Sequence, residues 1–208
     1  MIRFSIFALG WLPLVASAVA EFPSFGSDEE ADAWLKKTSA FYHEMAEAVV
    51  KRGGYSFRTF AGGHGGMMRV EHGAHVIELT DTLRGPERVS VLIFEMTNAF
   101  QQPKHDMIDR RVIDGEITDP IHFGLLQELI EYDGLGLHER VLRELHAQTG
   151  DIPEAMFVWV TPITGGFANY HLPRVLDYID AQAKSGHTAH YHQWFWVQKA
   201  TGDEKKSR

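Results

Sequence analysis

The sequence predicts an α+β fold, a small antiparallel sheet packed on several helices. Two observations carry that reading. Residues 27–52, 89–102 and 119–148 place apolar side chains at helical spacing, whereas residues 55–60, 67–71 and 74–80 change to a period of two. No internal repeat, linker or low-complexity tract divides the chain after residue 20, so residues 21–208 read as one domain.

The first element is a leader. Arg3 supplies a basic start, Phe4 to Val15 an apolar core, and Ala18-Val19-Ala20 before Glu21 a small-x-small cleavage site. That core is shorter than the roughly 20 residues needed to span a bilayer, and it contains Pro13. Residues 1–20 therefore read as a signal peptide, and the expected location is periplasmic or secreted, with no transmembrane segment after cleavage. Removing them from the 208 leaves 188 residues, enough for a sizeable core.

Ser27-Asp28-Glu29-Glu30 is a capping box, with Ser27 as N-cap and Glu30 three positions on. One helix is expected to follow through Ala31, Trp34, Leu35, Phe41, Met45, Ala48 and Val49, stopping at Gly53-Gly54. Tyr55 to Phe60 then reads as a strand, and Met67–Glu71 and Ala74–Thr80 flank His72-Gly73 as a hairpin. Between the strands, Gly62-Gly63-His64-Gly65-Gly66 is either a flexible connection or a mobile or anion-binding loop, with His64 a candidate binding residue.

Pro86 and Glu87 suit the first turn of a helix that Pro103 is expected to end. Residues 104–118 are polar, with a short helix around Met107 to Val112. Asp119-Pro120 starts another helix towards Gln148, its apolar stripe carrying Phe123, Leu126, Ile130, Leu137, Val141, Leu142 and Leu145, with Gly134 and Gly136 weakening its middle. Met156 to Thr161 is β-branched and aromatic, and Pro173 to Lys184 reads as a helix ending before Gly186. His187-Thr188-Ala189-His190-Tyr191-His192 is the densest histidine cluster, in which His187 and His190 would share a helix face as metal ligands or simply serve packing.

Composition excludes some functions. The net charge of −8 becomes −9 once Arg3 leaves with residues 1–20, which hold no acid. An acidic surface repels phosphate backbones, and the basic run Lys205-Lys206-Ser207-Arg208 is too short to offset it, so no nucleic-acid partner is expected. No cysteine is present, so disulfides do not stabilise the chain and any transition-metal ligands must be histidine or carboxylate.

The helix at Val89–Gln102 holds one acid, Glu95, within the apolar wall of Val89, Leu92, Ile93, Met96 and Phe100. A carboxylate so placed must be paired, hydrogen-bonded, metal-bound or protonated. Phe94-Glu95-Met96-Thr97-Asn98-Ala99-Phe100-Gln101 resembles the His-Glu-x-x-His helix of bacterial zinc metallopeptidase domains, with Phe94 and Asn98 at the two histidine positions. Glu128 to Gly134 resembles the downstream acidic helix that supplies a third ligand, which puts Glu131 at that position. The resemblance covers roughly residues 74–147 and implies a metallopeptidase-like central helix, Glu95 as the catalytic base of any active enzyme, and Asn98 and Glu131 beside it. It also implies that zinc is absent from that helix, since a phenyl ring cannot ligate zinc and an amide is a poor substitute for imidazole.

Three functions follow. The first is an exported, non-catalytic metallopeptidase-like protein that binds a protein or peptide ligand, without a cofactor. The second is a metal-dependent hydrolase with relocated ligands around Glu95 and Glu131, zinc being held by Glu131, His187 and His190, or by Glu95 and Glu131 with one of His64, His105, His138 or the terminal histidine cluster; glycoside hydrolysis by the two acids is a remoter version. The third is a structural envelope protein in which Glu95 joins a core hydrogen-bond network.

Overall fold

A computed structural model describes residues 22–62, 65–150, 152–157 and 171–206. The expected signal peptide, His64 and most of the aromatic stretch 156–161 lie outside the described residues. The elements are α1 (Asp28–Thr38), α2 (Ala40–Val50), β1 (Tyr55–Phe60), β2 (Gly66–Glu71), β3 (Ala74–Thr80), α3 (Gly85–Ile113), α4 (Pro120–Thr149), a 3₁₀ turn (Glu154–Met156), α5 (Val175–Ser185) and α6 (His187–Lys206). The fold is α+β, and among the described residues no helix is long and apolar enough to cross a membrane.

The helix expected across residues 27–52 is two helices. Ser39 takes extended backbone angles, its N–H closes α1 on the Leu35 carbonyl, and its hydroxyl accepts from Tyr42 N to cap α2. Glu144 of α4 holds the break in place by accepting from Ser39 Oγ at 2.8 Å and Phe41 N at 2.9 Å. That partner is more than 100 residues away, so local periodicity could not reveal the break.

The sheet is mixed rather than wholly antiparallel, in the order β1-β3-β2. The hairpin at His72-Gly73 forms as expected, both residues having positive φ, and pairs β2 antiparallel with β3. β1 instead pairs parallel with β3, from Tyr55 opposite His75 to Phe60 opposite Thr80. The glycine-rich connection carries the chain across the end of β3: Thr80 donates its hydroxyl to the Gly62 carbonyl at 2.5 Å and its N–H to that of Gly65 at 3.1 Å. β3 is thus central. Its Ile77 and Leu79 enter the core, while Glu78 lies buried on the other face between Arg58 and Arg69.

α3 runs through Pro103 instead of ending there. Proline has no N–H and its ring crowds the preceding turn, so the Ala99 carbonyl loses its helical donor. Arg52 supplies the replacement, donating Nη2 to Ala99 O at 2.9 Å and Phe100 O at 3.0 Å. α4 likewise continues through its glycines. A Cβ at Gly134 would meet Gln101 Nε2 at 3.0 Å and Thr97 Oγ1 at 3.2 Å, so the glycine lets α3 and α4 pack closely. The main core lies among α1, α2, β3, α3 and α4, and a second cluster joins Ile108, Phe123 and Phe195 of α3, α4 and α6.

Candidate functional site

Three buried acids lie on α3 and α4: Glu95 is 5% exposed, Glu128 0% and Glu131 8%. Glu128 and Glu131 are three residues apart and therefore share a helix face. Each is held differently. Glu128 accepts from Thr188 Oγ1 at 2.8 Å, His187 Nδ1 at 3.0 Å and Tyr178 Oη at 3.4 Å, while Glu131 Oε1 accepts from Tyr191 Oη at 2.7 Å. The start of α6 is thereby fastened to α4, with α5 contributing Tyr178.

Glu95 receives one hydrogen bond, from Asn98 Nδ2 to Oε2 at 3.3 Å. The start of β2 lies against it, since a Cβ on Gly66 would meet Val91 Cγ1 at 2.7 Å and Glu95 Oε1 at 3.0 Å. Burial, reinforced by the Glu131 charge and opposed by the Asn98 hydrogen bond, pushes the Glu95 carboxyl up to about 8. It is mostly protonated at neutral pH. Burial and the Glu131 carboxylate also raise the Tyr191 phenol, so Tyr191 stays a donor. The Glu128 hydrogen bond raises His187, opposing its partial burial, and favours a charged imidazole on that carboxylate.

Phe94 is buried with Leu135 and Tyr178 and meets the His138 ring edge-on at 6.4 Å. It has no donor atom for a metal, and Asn98 turns its amide N–H to Glu95. The zinc site of the resembled helix therefore does not fit these residues. His187 and His190 do not act together: His187 is committed to Glu128, whereas His190 is exposed beside Tyr191. Among the described residues, no group of three His, Asp or Glu side chains is placed to hold a metal ion.

His105 and His138 have other engagements. His105 Nδ1 meets Gln127 Oε1 at 2.5 Å, and Gln127 Nε2 donates to Asp109, which also takes the Trp194 indole N–H. His138 Nε2 lies 2.9 Å from Ser90 Oγ, whose proton goes to the Met156 carbonyl at 2.6 Å. Burial lowers His138 to about 4, so it stays neutral. This serine–histidine pair has its hydroxyl proton spent on a main-chain carbonyl and is sealed from solvent, which makes it a structural tie between α3, α4 and the 3₁₀ turn.

Glu128, Tyr178 and Tyr191 were not singled out by the sequence. The spacing of Glu128 from Glu131 was a usable signal, because two acids on one turn of a largely apolar helix need partners. Nothing local marked Tyr178. Comparison with family models, with curated proteins and with solved structures finds no match for the chain.

Proposed function

We propose that the chain is an exported, non-catalytic protein of metallopeptidase-like build that binds a protein or peptide. The observation that carries this reading is Glu95. A general base must be unprotonated and within reach of an activated water, yet this carboxyl is buried under Gly66, bonded to Asn98 and raised to about 8. Phe94 and Asn98 offer no imidazole at either end of the motif. Without a chemical role, an exported domain of this size serves by what it holds.

Metal analysis and a casein hydrolysis assay on the purified chain test the proposal. Less than stoichiometric zinc and no hydrolysis are expected. Bound zinc, with hydrolysis abolished both by chelation and by Glu95→Gln, would establish the alternative, a hydrolase with relocated ligands.

Export rests on Arg3, the Phe4–Val15 core and the Ala18-Val19-Ala20 site. The intact mass of protein recovered from the cell envelope should match residues 21–208. A chain retaining Met1 in the membrane fraction would sink that part of the reading.

A further inference from the structure

A cleft of about 510 Å³ opens between the start of α1, the outer edge of β1 and the start of α3. Its size suits a small ligand or a short stretch of chain. It belongs to the β1 side of the sheet, whereas Gly66 of β2, on the opposite edge, covers Glu95. Apolar side chains of Phe25, Phe57, Leu83, Val89 and Leu92 line it.

The main chain of β1 gives the cleft its direction. β1 is an edge strand, and the Gly54 and Phe60 carbonyls accept from His75 N and Asp81 N at the two ends of its ladder with β3. Even-numbered residues therefore turn their polar groups towards β3, and Tyr55, Phe57 and Thr59 turn N–H and C=O outward. No backbone hydrogen bond joins that outer edge to another described element. Phe57 and Thr59 themselves line the cleft.

Charge narrows the occupant. Of the three cleft arginines, Arg88 is bidentate on Asp28, at 2.6 and 2.7 Å, and Arg58 pairs with Glu71 and Glu78. Arg84 donates only to the main-chain carbonyls of Asp81 and Leu83, so it is the cleft cation without a carboxylate partner among the described residues. Glu29 and Asp81 also line the cleft. One negative charge is accommodated at Arg84, and further acids would be repelled.

We propose that this cleft captures the C-terminal end of an extended peptide. The peptide adds as a strand to the outer edge of β1, sets an apolar side chain against the partly exposed rings of Phe25 and Phe57, and places its terminal carboxylate at Arg84. This assignment rests on reading the chain as a peptide-binding protein and says where and what it binds.

Fluorescence anisotropy on the purified chain tests it, with a fluorescein-labelled octapeptide of alternating threonine and valine that ends in a free carboxylate. Saturable binding is expected, weakened about tenfold by C-terminal amidation of the peptide or by Arg84→Gln, since each removes a charge-assisted hydrogen bond. Thr59→Pro deletes an outward N–H on an edge strand, where proline is tolerated, and should weaken binding by about fivefold. Thr59→Val keeps the N–H and should not weaken it, which separates edge pairing from loss of the Arg88 to Thr59 hydrogen bond. Melting curves establish that each variant is folded.

Absence of saturable binding up to about 1 mM peptide, or equal binding by the amidated peptide and Thr59→Pro, overturns the proposal. So does a concentration-dependent dimer that Thr59→Pro abolishes, which would assign the edge to a second copy. Failure of peptide binding in a chain without zinc or hydrolysis removes the cleft alone, whereas zinc-dependent hydrolysis removes the non-catalytic reading.

Discussion

Glu95→Gln should stabilise the protein at alkaline pH and change little at pH 4. In the folded chain Glu95 is raised from an ordinary 4.5 to about 8, first by burial and then by the Glu131 charge. Between those values the folded state holds a proton that the unfolded state has released, so stability falls as pH rises. The favourable contribution is complete below about 4.5 and lost above about 8. Glutamine imitates the protonated side chain at every pH and does not undergo that loss. Urea unfolding from pH 4 to pH 9 should show the variant's advantage growing through this window to a plateau on the order of 4 kcal/mol. A difference that stays flat with pH would mean that Glu95 ionises normally and that the acid is not confined as described.

The same proton bears on function. With its carboxyl at about 8, only a minority of Glu95 is ionised at pH 7 and able to accept a proton. Glu131→Gln is a useful companion: it removes the charge while keeping an oxygen for Tyr191, so the window should move down without reaching the ordinary range, because burial remains.

Much of the fold was legible because it is local. The period-two residues of β1, the His72-Gly73 turn, the Asp119-Pro120 start and the Gly186 stop all appear where near neighbours dictate them. Departures arise where a distant side chain decides. Ser39 breaks a helical run because Glu144 caps the second half, and β1 turns parallel because the glycine-rich loop is stitched over Thr80. In the site, the sequence marked Glu95 as an acid needing an explanation, and its raised carboxyl agrees with that. The Glu131 charge adds to burial in raising Glu95. The histidine cluster reads from sequence as either metal ligands or packing residues, and the structure sets His187 on Glu128, because the α4–α6 packing that places an acid under the imidazole is not encoded in the spacing of the histidines.

Arg52→Met should destabilise the protein by about 2–4 kcal/mol, and Pro103→Ala should recover most of that loss. The arginine reaches from the turn after α2 to two carbonyls in the middle of α3, and its guanidinium also lies 5.9 Å from the Phe100 ring centre. Hydrogen bonds from a charged donor contribute about 1.5–3 kcal/mol each, and an acceptor left unmade in a part-buried site adds a desolvation cost. Methionine keeps much of the apolar stem and removes the donors. The need for those donors arises from Pro103, since an alanine there would bond Ala99 O through its own N–H and remove the ring's clash. In the Pro103→Ala background, Arg52→Met should therefore cost only about 1 kcal/mol, the remainder reflecting lost packing and the Phe100 carbonyl. Additive effects in this double-mutant cycle, measured by urea unfolding, would show that Arg52 contributes independently of the proline and that the helix continues past residue 103 for another reason.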